Sequence, residues 1–187
     1  MKNRLLFLFA AVFSLTGAAY AHEPKIVMPG EGKPVAVPFH PTTLLLSEEE
    51  NESGLSFYEF RVPPKTAAAP PHIHTQEDEF FYVVSGKVSF LDRETVVSGG
   101  PGTFVSLTRN NLHAFWNDTD EEAVLLLAAS QGNFEKFFDE VAMAVQAEKP
   151  ASAEDMGALI GRLASARGIT IRMDAVPDEA RALYFGE

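Results

Sequence analysis

The stretch PPHIHTQEDEFFYVVSG, residues 70–86, decides how the rest of this 187-residue sequence is read. It holds two of the five histidines, His72 and His74, one residue apart. Four residues separate His74 from Glu79, and six more lead to Gly86. In an extended segment side chains alternate between faces, so His72 and His74 share one face about 7 Å apart along the strand. Two neutral imidazoles and one carboxylate converging on a point make a site for a divalent transition metal. Glu77 and Asp78, which lie between, are expected on a loop facing solvent.

Outward from this stretch the sequence breaks into short β-type runs at 42–46, 55–62, 79–84, 87–91, 94–97, 103–107, 112–116 and 123–128. Turn residues separate them: Gly54, Gly86, Asp92, the Gly99-Gly100-Pro101-Gly102 run, Asn110-Asn111 and Asp118. Short strands at regular spacing with no helix between them predict a sandwich or barrel. Ahead of them, Pro24, Pro29, Pro34, Pro38 and Pro41 predict an extended lead-in with His40 on a loop. From Asn133 the period changes. Phe134, Phe137, Phe138 and Val141 fall at the spacing of one helical face, which must bury against the barrel's end or a partner subunit. A second helix is capped by Ser152 with Asp155 three residues on, buries Met156, Leu159, Ile160 and Leu163, and is closed by Gly168.

The first residues have a different reading. Lys2 and Arg4 precede an apolar run, residues 5–15, and Ala19-Tyr20-Ala21 follows. This is the pattern of a secretory signal peptide cleaved after Ala21, and the run is too short for a membrane span. The start lacks a twin-arginine pair, which points to a Sec-type route and a periplasmic or secreted mature protein with no membrane attachment. Losing Lys2 and Arg4 takes the formal charge of −11 two units further, to −13. So acidic a chain is no partner for nucleic acid or anionic lipid surfaces. Cysteine is absent, which removes disulfides and thiolate ligands from consideration.

A second histidine segment lies downstream. Gly102 is followed by five residues, then Thr108, Arg109 and Asn110, two more residues, His113, three more and Asn117. His72-x-His74-x4-Glu79-x6-Gly86 resembles the first motif of the cupins, and Gly102 to His113-x3-Asn117 resembles the second. The resemblance implies an all-β fold, the cupin double-stranded β-helix or jelly-roll barrel, over residues 22–132 with motifs at 66–86 and 102–117. A C-terminal helical extension over residues 133–187 would pack on it, and residues 1–21 would be the signal peptide. It implies His72, His74, Glu79 and His113 as metal ligands pointing into the barrel. Thr66, Thr108 and Asn110 depart from the usual Gly, Pro and Gly of the two motifs, and Asn tolerates a left-handed turn better than other non-glycine residues.

Three imidazoles and a carboxylate suit one first-row divalent ion, Cu, Fe, Mn or Ni for oxygen chemistry with Zn as an alternative, and leave open positions for a ligand. Glu79 has a second capacity, as a base that takes a proton from a bound hydroxyl. The period of two puts Phe81 on the Glu79 face and Phe115 on the His113 face, a lining for a small apolar or aromatic substrate. The run PPHIHTQEDEFFYVVSGKVSF is similar to single-domain proteins of the quercetin 2,3-dioxygenase type. That resemblance implies a dioxygenase acting on a phenolic or enolic, flavonol-like molecule, and a homodimer. Fold does not fix function. A lyase, decarboxylase or isomerase on the same ligands, or a binding protein without turnover, stands beside it.

Overall fold

Alternation of apolar and polar side chains turns most of residues 33–129 into strands. The structure, a computed structural model, describes residues 23–130, 132 and 134–186. The expected signal peptide and its cleavage point lie outside the described residues. The strands are β1 (Lys33–Val35), β2 (Thr42–Leu46), β3 (Ser56–Val62), β4 (Thr66–His74), β5 (Glu79–Ser85), β6 (Val88–Asp92), β7 (Thr95–Gly99), β8 (Phe104–Leu107), β9 (His113–Asn117), β10 (Ala123–Ala129) and β11 (Ile169–Ile171). The helices are α1 (Phe134–Glu148), α2 (Ala153–Ala166) and α3 (Arg181–Phe185).

Two antiparallel sheets result, one ordered β1-β2-β3-β10-β5-β8 and the other β11-β4-β9-β6-β7. Strands distant in sequence are neighbours in space, β3 with β10 and β4 with β9, which makes a jelly-roll. Each strand's inward series fills the space between the sheets: Tyr58, Phe60 and Val62 from β3, Phe81 and Val83 from β5, Leu125 and Leu127 from β10. Burying each such side chain contributes about 1.5–3 kcal/mol. Glu79 belongs to the same inward series as Phe81 and Val83. Shifting β5 by one residue would expose those two and put Glu79 outside, so the apolar core fixes where the carboxylate goes.

The sequence reading and the structure differ at three strands: β1, read as an unpaired lead-in, β4 and β11. Only His72 to His74 were read as extended, whereas β4 starts at Thr66 and runs through the proline pair at 70 and 71, where strands are uncommon. Its ladder with β9 pairs Ala69 with Phe115 and His72 with His113 and is irregular between them, so the missing proline N–H groups fall where the register shifts. The carbonyls stay in use: Arg172 N donates to Pro71 O at 2.7 Å. The third difference is β11, inside the segment read as helical. It adds to the β4 edge with Ile169 opposite His74 and Ile171 opposite His72.

The predicted helical face is the observed one: α1 buries Phe134, Phe137, Phe138 and Val141. These rings pack on the core through Tyr58, 5.8 Å from Phe134 and 5.5 Å from Phe138 between ring centroids. Ser152 caps α2, accepting a hydrogen bond from Asp155 N, and Gly168 follows at φ +75°. Of the expected α2 face only Leu159 is fully buried, while Met156, Ile160 and Leu163 are half-buried. Met156 and Ile160 line a cavity instead of packing tightly. Beyond β11 the chain crosses the outer face of the second sheet, where Val176 and Ala180 cover Trp116. The central strand β9 is thereby buried on both faces.

Candidate metal centre

Four residues from three strands meet between the sheets. His72 and His74 end β4, Glu79 opens β5, and His113 opens β9. His74 and His113 are fully buried, and Glu79 is 3% exposed. One ligating atom from each of the four lies within 4.8 Å of every other. His72 Nε2 is 3.0 Å from His74 Nε2, and His113 Nε2 is 3.0 Å from Glu79 Oε2.

The outer nitrogen of each imidazole is committed. His72 Nδ1 donates to Pro70 O at 2.7 Å and His113 Nδ1 to Asn111 O at 3.0 Å. His74 Nδ1 donates to Glu77 Oε2 at 3.0 Å. With the protons on Nδ1, every Nε2 presents a lone pair to the centre, and such an array requires a positive charge. The spacing suits an ion. Two donors each about 2.1 Å from a metal and at right angles about it stand about 3.0 Å apart. The residues therefore fit a divalent transition metal, with coordination positions left for a ligand.

Electrostatics agrees. Burial alone would raise the Glu79 carboxyl, but His74, His113 and His72 reverse this and bring it down to about 2. His72 is held well below the ordinary imidazole value by burial and by His113 and His74. At His74 burial works downward, and Glu79 with Glu77 overcomes it, leaving a net rise. An ionised Glu79 and a neutral His72 are the ligand forms a metal needs, and the rise at His74 marks the pull of two carboxylates for a positive charge, which a bound cation would supply in place of a proton.

Glu77 corrects the sequence reading. It was expected in solvent and is 1% exposed, with its carboxylate on His74 Nδ1. A Cβ at Gly132 would collide with that carboxylate, so glycine there makes its room. Nothing in the sequence separates Glu77 from its neighbour Asp78, which does lie near the surface. Asp78 accepts from Arg109 N at 2.9 Å and from the Arg109 side chain at 2.7 Å, binding the loop after His74 to the loop before His113. Asn110 adopts φ +63° and its N–H donates to His74 O at 2.7 Å, so asparagine serves where the motif usually has glycine.

The ligand cluster opens on a cavity of about 500 Å³. His72, His74 and Glu79 form part of its wall, with Phe39, Phe60, Phe115, the α1 phenylalanines, and Met156, Ile160, Ile169 and Ile171. Phe115 lines it, as expected. Phe81 does not. It lies fully buried behind Phe115, ring centroids 5.2 Å apart, because its place on β5 puts it deeper between the sheets. His40, read as a loop residue, is 7% exposed and lines the cavity. A polar residue inside the apolar run Pro38-Phe39-His40-Pro41 was its one sequence signal.

Residues 58–129 match the Cupin domain family. No curated protein matches the chain. Among solved structures it is similar to a predicted oxalate decarboxylase from Thermotoga maritima, TM-score 0.53 at 20% identity, covering 57% of this chain and 99% of that one. It is also similar to the polyketide cyclase RemF from Streptomyces resistomycificus, TM-score 0.48 at 22% identity, over 58% and 80% of the two chains. For a sugar phosphate isomerase of the cupin superfamily from Silicibacter pomeroyi the values are 0.46 and 22%, over 52% of this chain and 62% of the other. At such identities the likeness concerns the fold alone. Motif spacing, strand order and family match converge on one segment: residues 58–129 match the Cupin domain family and lie within a jelly-roll, with a possible metal site formed by His72, His74, Glu79 and His113.

Proposed function

We propose that the protein is an exported, metal-dependent dioxygenase that acts on an apolar phenol or enol of the flavonol kind. The observation that carries this reading is the chemistry of the cavity wall. Its polar side chains are His40, Tyr184 and the cluster residues His72, His74 and Glu79. Neither Lys nor Arg is among the described lining residues, so a phosphate or a second carboxylate would meet no counter-charge from them. Aromatic and aliphatic walls instead favour a ring system that brings one oxygen to the cluster. About 500 Å³ accommodates two or three fused or linked rings.

Within that cavity each residue has a task. Bound at the four ligands, a first-row divalent ion would supply Lewis acidity and a template for the substrate oxygen. Glu79, ionised at neutral pH, is placed to accept the substrate hydroxyl proton. Phe60, Phe115 and Phe138 exclude water and hold the ring plane. Both atoms of dioxygen end in the product, so the reaction needs no external reductant. The apolar run and A-x-A end of residues 1–21 support export.

The test is dioxygen uptake by copper- or iron-loaded protein with a flavonol, followed together with loss of the flavonol absorbance. Coupled loss of both, reduced at least a hundredfold in Glu79→Gln with metal retained, is the expected result. Flavonol binding without dioxygen uptake would reject oxygenation and leave a lyase, an isomerase or a binding protein.

A further inference from the structure

His40 lies outside the metal cluster and outside both motifs, yet it lines the cavity from the chain entering β2. Its ring is held between aromatic side chains, with centroids 4.5 Å from Phe60 and 5.8 Å from Phe115. Its Nδ1 is engaged on the protein side, 3.3 Å from Thr42 Oγ1 and 3.5 Å from Pro41 O. The Thr42 hydroxyl donates its only proton to His40 O at 3.1 Å, and Pro41 O is an acceptor only. Nδ1 is therefore the protonated nitrogen, and Nε2 is a bare acceptor that makes no hydrogen bond among the described residues. An acceptor that lines the cavity in an apolar wall, with no donor among the described residues, is free to take one from a ligand.

The other polar side chain outside the cluster, the Tyr184 phenol, keeps an oxygen lone pair but is a poorer acceptor than an imidazole nitrogen. Tyr184 donates its hydroxyl proton to Ala69 O at 2.6 Å. We propose that His40 is a specificity residue whose Nε2 accepts a hydrogen bond from a hydroxyl or N–H group of the bound ligand, remote from the oxygen held at the metal cluster. Phe115 follows His113 by two residues on β9, about 7 Å of strand, and His40 stands against Phe115. The donor it recognises is thus carried on a different part of the ligand from the oxygen at the cluster. Burial keeps the imidazole neutral by pushing it down to about 4, which preserves its acceptor character at ordinary pH. The class of ligand selected is an apolar ring system with one hydroxyl or N–H at its far side. This inference rests on the cavity and cluster reading given above.

The experiment uses zinc-loaded full-length mature protein, in which no oxygenation competes, and two probes measured by calorimetry. One probe is a flavonol without further hydroxyls, and the other is its analogue with one hydroxyl added on the pendant phenyl ring. The wild type is expected to bind the hydroxylated probe about tenfold more tightly. His40→Phe is expected to bind both alike, with zinc content unchanged. A preference that survives His40→Phe overturns the proposal. Ligand-independent evidence comes from nitrogen NMR of the wild-type imidazoles, where His40 is expected as the Nδ1–H tautomer and an Nε2–H tautomer would overturn the assignment. A His40-dependent preference without dioxygen uptake by the copper or iron form would uphold this inference and reject the oxygenase reading.

Discussion

Glu77 sets the direction in which His74 points. Its carboxylate accepts the Nδ1 proton of His74, fixes the tautomer and enriches the electron density at Nε2. Glu77→Gln keeps the shape and removes the charge, so the ring remains in place but becomes a poorer donor. Metal affinity is expected to fall about 10- to 100-fold, measured by competition with a chelator. An unchanged affinity would mean that the carboxylate only fills space. Of the residues at the centre, His72 and His74 were legible from strand alternation, and all four that converge were legible through the resemblance to the two cupin motifs. Glu77 was not, since nothing in Thr75-Gln76-Glu77-Asp78 tells which acidic residue turns inward. That depends on Gly132, more than fifty positions away, leaving it room. Phe81 shows the converse: its inward direction followed from the period of two, while its depth depended on where Phe115 lay.

Among the elements, the junction between α2 and β11 ties the C-terminal segment to the strand that carries His72 and His74. Gly168 at φ +75° ends the helix, and its carbonyl accepts from both the N–H and the hydroxyl of Thr75 at 3.0 Å. A Cβ there would strike the Thr75 hydroxyl and strain the left-handed backbone. Gly168→Ala is therefore expected to cost more than about 1 kcal/mol in urea unfolding. Stability equal to wild type would show that the junction is loose. Eight of the eleven strands among the described residues were legible from alternation and turn residues. Of β4 only the end at His72 and His74 was legible, because a proline pair ordinarily excludes a strand, and here the irregular ladder absorbs the missing donors. β11, only three residues long, carries no period of its own and exists because the β4 edge is there to pair with. β1, also three residues long, was read as extended but not as paired.

For the molecule as a whole, a two-sheet barrel supplies the ligands and the C-terminal segment supplies one wall of the cavity. Gly157, on α2, lines that wall, and a Cβ added to it meets nothing within 4 Å. Gly157→Phe is thus expected to fill the cavity while leaving the fold intact, helped by losing a helical glycine that costs about 1 kcal/mol. Flavonol binding should be lost, with metal content and melting temperature at or above wild type. Binding retained in that variant would place the ligand elsewhere. The central claim, that His72, His74, Glu79 and His113 together hold one metal ion at the edge of this cavity, has a direct test in elemental analysis of the mature protein and of His113→Ala, each purified without added metal. The account predicts about one equivalent of a transition metal per wild-type chain and a loss of most of it in His113→Ala. No metal in the wild type, or equal metal in both proteins, would contradict it.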